Sequence, residues 1–467
     1  MSIVMKFGGS SVATATRLRQ VAELVTAAKA RRPCVVLSAM GKSTDALFAA
    51  TTAACRGELV AALVHVDAVI ATATAAVDEL LTAPEPTRAT LAAMRDDLAT
   101  LLRGVALLRE LTPRTRDAVV AHGERLATTV FAAVLAERGL AVAHIDARDW
   151  LRTDDTHGGA NPQRAEIKTL VVRTVLPALG IHDVVVTQGY VGATATGTTT
   201  TLGRGGSDWS AALLGEAVVA DEVQIWTDVE GVLSADPRVV PEPLPIPVLS
   251  PAEAAELAAF GAKVLHPATI QPAVDAGIPV TVRHTLRPYG AFTTIDPRAG
   301  HGNRGAVAAL ACRGPVTVLT MTSTRMLAAS GYLARLFAAF GELGICVDLV
   351  ATAEVSVTCT VEPDAPIERL AKALAGLATI EVATDRAIVA AVGDGLARAP
   401  KLLSRAAEAL HPIVPEVVTV GGNDRNLSFV VRQAEVAQAM QRLHREFFGA
   451  NGANGTGTPA AAAEARS

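Results

Sequence analysis

The chain has 467 residues, of which half are hydrophobic, so it is long enough for two or three domains and apolar enough for a large core. Its net charge is −4, aromatic residues make up only 3%, and no basic patch is evident, which argues against nucleic-acid binding through charge or base stacking. No uninterrupted apolar run reaches 18 residues and the first residues lack the layout of a signal peptide, so we expect no contact with a membrane.

The first predicted elements are a buried strand over residues 3–5, a glycine turn at Gly8 and Gly9, and a helix whose apolar face includes residues 18–25. Adjacent glycines let the backbone approach a ligand closely, and the following helix offers free N–H groups and a positive dipole end to an anion. Lys6 adds a positive charge at the end of the strand. This arrangement predicts a phosphate cradle, and the alternative at this point is a plain strand–helix turn with a surface lysine.

Strands and helices then alternate over most of the first two thirds of the chain. Residues 43–139 are almost entirely helical in pattern, and short apolar strands lie on either side of them. Such alternation indicates an α/β domain with a largely parallel sheet, which we place at residues 1–298. Its further predicted strands are residues 35–38, 141–145, 184–187, 223–226 and 279–282.

A turn-rich segment, residues 297–305, ends this domain. Beyond it the chain repeats itself at a spacing of about 70 residues, and each copy has an amphipathic helix followed by two strands. The repeat predicts two ferredoxin-like βαββαβ regulatory modules within residues 304–449. The tail, residues 450–467, is rich in Gly, Asn, Thr and Ala, and we expect it to be disordered.

A second glycine loop, residues 202–208, reads Leu-Gly-Arg-Gly-Gly-Ser-Asp and precedes a predicted helix. Arg204 can hold a carboxylate through two parallel N–H bonds. Asp208 can accept hydrogen bonds or orient a lysine, although an ordinary helix cap would explain it too. Because a cap needs no preceding Gly-Arg-Gly-Gly, the loop favours a functional role.

Three further places in the sequence carry candidate polar residues. Glu124 opens a predicted helix, where it could bind a substrate ammonium but where the helix dipole alone also favours a glutamate. The loop at residues 226–238 follows a buried strand directly, which is where open α/β sheets bind ligands. Lys263 lies in a loop that ends a helix, a place where a lone lysine is usually a surface charge.

Residues 40–44 resemble the end of a P-loop, but Val36 stands where that motif requires glycine, so we reject a P-loop and keep Ser38 and Thr44 as polar contacts. The five cysteines are scattered and show no zinc spacing, which predicts a reduced, cytoplasmic protein. Two glycine loops, a lysine, an arginine and acidic groups fit phosphoryl transfer by positioning and charge neutralisation.

These motifs occur in the order typical of one family, as residues 6–12, 123–124, 203–208, 226–238 and 261–267. To about residue 449 the chain resembles the aspartate kinases, which join an amino-acid-kinase catalytic domain, an αβα sandwich, to two ACT regulatory modules. It is most similar to the monofunctional, lysine-sensitive type. In that family the ACT modules are interleaved, so the strand near residues 306–312 is expected in the second module.

The resemblance implies transfer of the γ-phosphoryl group of ATP, bound with Mg²⁺, to the side-chain carboxylate of L-aspartate, the first step towards lysine, threonine and methionine. Lys6 and Asp208 would be the catalytic residues, with Asp208 orienting Lys6. The resemblance does not assign the metal ligands. The substrate would be bound by Ser38, Thr44, Glu124 and Arg204. The nucleotide side would be formed by Gly8, Gly9, Ser10, Gly206, Ser207, Thr227, Asp228, Leu233, Arg238 and Lys263.

Regulation is implied in the same way, with L-lysine as the expected effector and a homodimer or larger assembly formed through the ACT modules. The expected effector residues are Met326, Tyr332, Leu333, Val347, Asp348, Glu354 and Val355. Three positions depart from the family pattern: Leu233 replaces an aromatic residue, and Ala329 and Ala353 stand where serine is frequent. A specialised kinase for an aspartate analogue and a non-catalytic amino-acid sensor remain alternatives, although the sensor predicts eroded catalytic residues.

Overall fold

A computed structural model describes residues 2–261, 265–299, 307–327, 329–421 and 424–449. The chain forms two compact units. The first comprises Met1–Val232, Pro247–Pro251 and Val264–Ala299, and the second comprises Leu233–Ile246, Ala252–Lys263 and Gly300–Ser467. Two segments that precede the expected boundary near residue 298 therefore belong to the second unit. The predicted disordered tail and most of the predicted linker lie outside the described residues.

The first unit is built on one mostly parallel sheet, as the alternating pattern predicts. Its strands are β1 (Ile3–Phe7), β2 (Pro33–Leu37), β3 (Val142–His144), β4 (Val184–Gln188), β7 (Glu222–Thr227), β8 (Val248–Leu249), β9 (Val280–His284) and β10 (Thr293–Ile295), in the order β3-β4-β2-β1-β7-β9-β10-β8. A separate hairpin joins β5 (Val191–Ala193) to β6 (Thr199–Thr201). Strand β1 is central and pairs in parallel with β2 and β7. It is buried along its whole length, which its run of apolar residues dictates.

Helices cover this sheet, and their buried sides carry most of the apolar core of the first unit. They are α1 (Ala15–Ala27), α2 (Ser43–Cys55), α3 (Leu59–Leu80), α4 (Glu85–Leu108), α5 (Pro113–Val120), α6 (His122–Glu137), α7 (Arg164–Ile181), α8 (Gly206–Val218) and α10 (Pro267–Asp275), while α9 (Pro251–Ala259) lies mainly in the second unit. A short 3-10 helix, Gly9–Val12, separates β1 from α1, where the sequence pattern predicted a simple turn.

Two helical stretches, Leu59–Leu80 and Pro113–Glu137, are long and apolar enough to cross a membrane by length and composition alone. The search for uninterrupted apolar runs of 18 residues does not detect Leu59–Leu80, because His65 and Asp67 interrupt the apolar sequence of this helix. Core helices meet the same criterion, and 78% of the apolar window in Pro113–Glu137 is buried. The buried apolar residues of α3, including Val66 and Val77, pack in the core of the first unit, and 33% of the apolar window of this helix is buried.

The second unit contains one antiparallel sheet of six strands. Its elements are β11 (Ala309–Thr322), α11 (Tyr332–Glu342), β12 (Val347–Thr352), β13 (Ser356–Val361), α12 (Ile367–Ala373), β14 (Thr379–Val392), α13 (Leu402–Leu410), β15 (Val417–Val420), β16 (Asn426–Arg432) and α14 (Val436–Phe448). The strand order is β12-β13-β11-β14-β16-β15. The predicted repeat of a helix followed by two strands is confirmed in both copies.

The long central strands β11 and β14 are each shared by both repeats. The start of β11 pairs with the end of β14, and Leu310 packs in a core with Phe429 and Leu443 of the second repeat. The end of β11 pairs with β13, and Leu319 packs in the core of the first repeat with Leu336. The register shifts between the two halves, at Val316. The modules are therefore interleaved, as the resemblance implied.

The early segments of the second unit are bound to its second repeat by specific contacts. Ser234 Oγ lies 2.8 Å from His444 Nε2, and Gln441 donates a hydrogen bond to the Val239 carbonyl over 2.9 Å. In α9, Glu253 accepts a hydrogen bond from the Asp394 backbone N–H. These contacts explain why the segments Leu233–Ile246 and Ala252–Lys263 belong to the second unit although they precede its regulatory repeats in the sequence.

Candidate active site

A cavity of the first unit has a volume of about 650 Å³ and lies at the carboxyl end of the parallel strands, where open α/β sheets bind ligands. It brings together residues from six separate stretches of sequence. Those predicted from the motifs are Lys6, Gly9, Ser38, Thr44, Glu124, Arg204, Gly206, Ser207 and Asp208. The other lining residues are Ala39, Gly41, Asp45, Phe48, Gly158, Tyr190, Gly203 and Gly205.

A lysine–aspartate ion pair lines the cavity. The Lys6 ammonium at the end of β1 lies 2.6 Å from a carboxylate oxygen of Asp208 in the first turn of α8. Both side chains are mostly buried, with 11% and 17% of their surfaces exposed. The pair fixes the ammonium group beside the N-terminus of α8, so a positive charge and free helix N–H groups face the same space. This is an arrangement that binds and stabilises anionic oxygens.

Two glycine loops bring backbone close to this ion pair. A Cβ added to Gly9 would lie 2.8 Å from the Ala39 carbonyl oxygen and 3.1 Å from that of Gly41. At the second loop, Gly205 adopts a left-handed conformation with φ of 73° and precedes the first turn of α8. A side chain at either position would push the backbone away from the cavity, so glycine is required by close approach in one loop and by conformation in the other.

Glu124 reaches the cavity from the first turn of α6 and is only 3% exposed. Its Oε1 accepts a hydrogen bond of 3.2 Å from the Ala39 backbone N–H. Its Oε2 is buried and has no hydrogen-bond partner among the residues that the structure describes. Burial raises the pKa of this carboxyl group from 4.5 to about 8, and the Ala39 bond only partly opposes that rise. Such an oxygen is suited to accept a hydrogen bond from a bound ammonium group.

The remaining predicted substrate residues surround the same space. Arg204 is exposed, and its guanidinium forms no ion pair with the described part of the chain, so its N–H fork is available to a ligand. Ser38 follows β2, and its backbone N–H donates to the Phe7 carbonyl over 3.1 Å. Thr44 lies in the first turn of α2. The cavity therefore offers a cationic fork, an acidic group and two hydroxyls.

The predicted nucleotide residues do not all belong to the same compact unit. Gly8 donates a backbone hydrogen bond to Trp226 over 3.2 Å, which joins the first glycine loop to β7. Thr227 ends β7 and Asp228 follows it, while Ser10 is exposed in the 3-10 helix.

Two further members of that set lie in the second unit. Leu233 and Arg238 belong to the second unit, where Arg238 forms a 2.6 Å ion pair with Asp236. Lys263 lies outside the described residues, so the structure adds nothing to its predicted role.

Several cavity residues were not predicted from the sequence. Tyr190 follows β4 in a left-handed conformation with φ of 66°, which is unusual for a residue other than glycine. Its backbone is held by bonds to Ser210 Oγ and from the Leu202 N–H. Asp45 and Phe48 lie on α2, one and four residues after Thr44, respectively. The sequence signal that could have indicated Tyr190 as a cavity residue is its place directly after the buried strand β4, where open α/β sheets bind ligands.

The predicted effector residues lie in the first repeat of the second unit. Asp348 on β12 forms a 2.8 Å ion pair with Arg313, and its Oδ2 is buried without a partner among the described residues. Burial raises the pKa of Asp348, and the Arg313 charge opposes this. The Tyr332 hydroxyl donates to the Leu377 carbonyl over 2.8 Å, so that ring is a packed part of the core.

The other predicted effector positions vary in exposure. Leu333, Glu354 and Val355 are exposed, whereas Met326 and Val347 are partly buried. Within the described residues, no group of three or more His, Cys, Asp or Glu side chains is arranged to hold a metal ion.

Comparison with known proteins gives a consistent result. Residues 1–284 match the amino acid kinase family, and residues 389–447 match the ACT domain. The chain is 37% identical to the lysine-sensitive aspartokinase 3 of Escherichia coli (strain K12), over 96% of this chain and 99% of that protein. It is 35% identical to the chloroplastic aspartokinase 1 of Arabidopsis thaliana, over 96% of this chain and 80% of that protein.

Solved structures agree with these relatives. E. coli aspartokinase III in complex with lysine and aspartate, in the T-state, is similar with a TM-score of 0.79 at 36% identity, covering 96% of this chain and 99% of that one. The same enzyme in complex with aspartate and ADP, in the R-state, is similar with a TM-score of 0.78 at 35% identity, covering 96% and 100%. With family matches in both parts of the chain and relatives aligned over nearly its full length, this chain belongs to the amino acid kinase family and, within it, to the aspartokinases.

Proposed function

We propose that the protein transfers the γ-phosphoryl group of ATP to the side-chain carboxylate of L-aspartate, which yields 4-phospho-L-aspartate and ADP and opens the synthesis of lysine, threonine and methionine. The observation that carries this proposal is the 2.6 Å ion pair between Lys6 and Asp208 in a cavity that also holds Glu124 and Arg204. One cavity thus supplies the charges needed for a transferring phosphoryl group and for an amino acid.

In this mechanism Lys6 stabilises the negative charge on the transferring phosphoryl group. Asp208 holds the ammonium in place, so the stabilising charge needs no reorganisation during the reaction. The N–H groups of the Gly9 loop and of the first turn of α8 add further donors. The substrate carboxylate is itself the nucleophile and is already ionised at neutral pH, so the cavity needs no strong general base.

The substrate is oriented by groups of opposite charge. Glu124 accepts from the α-ammonium of aspartate through the buried Oε2, and Arg204 binds the α-carboxylate with its two parallel N–H groups. Ser38 and Thr44 contact the side-chain carboxylate. Orientation of this kind converts a reaction between two bound molecules into an effectively unimolecular step.

ATP would bind as its Mg²⁺ complex, and the metal would supply neutralisation of phosphate charge. The phosphates would be held by Gly8, Gly9, Ser10, Gly206 and Ser207. Thr227 and Asp228 continue the nucleotide side in the first unit, and the resemblance to aspartate kinases adds Leu233, Arg238 and Lys263 to this set. Leu233 offers no ring for stacking, so we expect nucleotide affinity to depend on polar and charged contacts.

Inhibition by L-lysine is part of the proposal, with Asp348 as the main acidic group for the effector. Its buried, unpartnered Oδ2 supports this role, and a relative whose structure contains lysine is 36% identical. Met326, Tyr332, Leu333, Val347, Glu354 and Val355 complete the effector set. We further propose a homodimer or larger assembly through the ACT modules and a cytoplasmic location.

A coupled ADP-release assay tests the catalytic proposal, with aspartate, glutamate and close aspartate analogues as acceptors. We expect ADP release with aspartate and loss of at least about a hundredfold in kcat for Lys6→Ala. Lys29→Ala is the matched control, because Lys29 is half-exposed and pairs with Asp183 away from the cavity lining. Preference for an analogue would favour the specialised kinase, and absence of turnover with every acceptor would favour the sensor.

A further inference from the structure

A buried carboxylate that does not line the cavity holds two of the segments that do. Asp117 on α5 is 1% exposed. Its Oδ2 accepts hydrogen bonds from His157 Nδ1 over 2.9 Å and from the Gly158 backbone N–H over 3.0 Å. Its Oδ1 accepts from the Thr201 hydroxyl over 2.7 Å. A buried carboxylate with this many donors fixes the groups that surround it, because leaving any of them unpaired is costly.

Each of these donors belongs to a segment that reaches the cavity. Gly158 lines it directly. Thr201 ends β6, and only two residues separate it from Arg204. The two segments are also joined to each other, because the Ala160 backbone N–H donates to the Thr201 carbonyl over 2.9 Å. The Asp117 carboxylate therefore fixes both segments at once.

The contact between these segments leaves little space for adjustment. Gly158 and Gly203 both have left-handed backbones, with φ of 86° and 75°. A Cβ on Gly203 would lie 3.2 Å from the Gly158 carbonyl oxygen. A shift of the Gly158 segment would therefore be transmitted to Gly203 and to the adjacent Arg204.

We infer that Asp117 is a positioning residue for substrate binding, which acts through Gly158 and Thr201 to set the place of the Arg204 guanidinium. This inference rests on the proposed function, in which Arg204 binds the α-carboxylate of aspartate. It goes further because it makes Asp117, a residue outside the cavity, responsible for the position of Arg204 relative to the α-carboxylate. A role in stability alone would affect both substrates equally, whereas positioning of Arg204 affects aspartate.

The test compares Asp117→Asn with Glu216→Gln. Glu216 is also a buried carboxylate of the first unit, but it lies near the far end of α8 from the cavity and pairs with Arg164 and Lys168. We expect Asp117→Asn to raise the KM for aspartate about tenfold, as loss of one carboxylate hydrogen bond would, with the KM for ATP changed less than twofold. Glu216→Gln should leave both constants within twofold of the wild type.

Thr201→Val provides a second variant in case Asp117→Asn does not fold, because it removes a single donor and keeps the side-chain shape. It should raise the KM for aspartate about threefold and spare the KM for ATP. Equal changes in both constants, or an aspartate constant within twofold of the wild type in the folded variants, would overturn the inference. If the wild type itself did not phosphorylate aspartate, the proposed function would fail first, so the two failures are distinguishable.

Discussion

Aspartate binding should depend strongly on pH, because the group proposed to bind its ammonium is a buried acid. Burial raises the pKa of Glu124 to about 8, so in the empty cavity this carboxyl group is mostly protonated at pH 7. Only the ionised form can pair with an ammonium group. The apparent KM for aspartate is then the intrinsic value divided by the ionised fraction, which rises from about 0.1 at pH 7 to about 0.75 at pH 8.5.

The KM for aspartate should therefore fall about eightfold between pH 7 and pH 8.5, a range in which the amine of free aspartate stays protonated. Binding at pH 7 should also release close to one proton per aspartate, measurable by calorimetry in buffers of different ionisation enthalpy. In Glu124→Gln the neutral amide cannot titrate, so the KM should be higher throughout and its pH dependence should be lost. The KM for ATP serves as the control and should not follow the same curve.

Stability gives an independent check with a defined sign. The folded-state pKa of Glu124 lies above its ordinary value of 4.5, so the folded protein holds more protons than the unfolded chain between these values. Its contribution is most favourable below pH 4.5 and is lost as pH rises towards 8, by at most about 1.4 kcal/mol per pH unit. Glu124→Gln should thus gain stability relative to the wild type as pH rises.

Other groups that face the cavity, namely Lys6, Asp45, Tyr190, Arg204 and Asp208, could shift these curves. The comparison with Glu124→Gln isolates the carboxyl group from them, because they are present in both proteins. A wild-type KM for aspartate that stays flat from pH 7 to pH 8.5, or an equal slope in Glu124→Gln, would refute the reasoning.

Three further predictions test the other parts of the site. Arg204→Lys should raise the KM for aspartate about tenfold with a smaller change in kcat, since a lysine lacks the planar fork; steady-state kinetics measure both. Gly9→Ala should lower the melting temperature and kcat together, because the added Cβ would lie 2.8 Å from the Ala39 carbonyl oxygen and cost about 1–3 kcal/mol, which calorimetry and the ADP assay would detect. Asp348→Ala should remove inhibition by L-lysine and keep activity without lysine; unchanged inhibition in a lysine titration would exclude Asp348 from the effector site.

Elements that depend on local pattern were predictable from the sequence. The buried strands at β1, β2, β4, β7 and β9 follow apolar runs, and the two glycine loops, which predict a phosphate cradle, both contribute to the lining of one cavity. The hairpin of β5 and β6 was not predicted, because its strands are three residues long and rich in Gly and Thr. Short polar strands carry little hydrophobic periodicity.

Features that depend on distant contacts could not be predicted. Asp117 and Thr201 are 84 residues apart, and neither belongs to a motif that the sequence made visible. The return of Leu233–Ile246 to the second unit depends on packing against residues about 200 positions later, such as Gln441 with Val239. Linear patterns report local periodicity, whereas such contacts depend on the final arrangement of the whole chain.

The proposed substrate and effector positions share one physical feature, an acid with one buried oxygen that forms no hydrogen bond with any described residue. Glu124 Oε2 and Asp348 Oδ2 both meet this description. Leaving such an oxygen unpaired costs stability, so the ammonium group of an amino acid would relieve that cost on binding. The two acids differ in their partners: Asp348 forms an ion pair with Arg313, whereas Glu124 accepts from backbone N–H groups, including that of Ala39, and forms no ion pair among the described residues. Binding at Glu124 should therefore depend more steeply on pH than binding at Asp348, which parallel titrations of aspartate KM and lysine inhibition would measure.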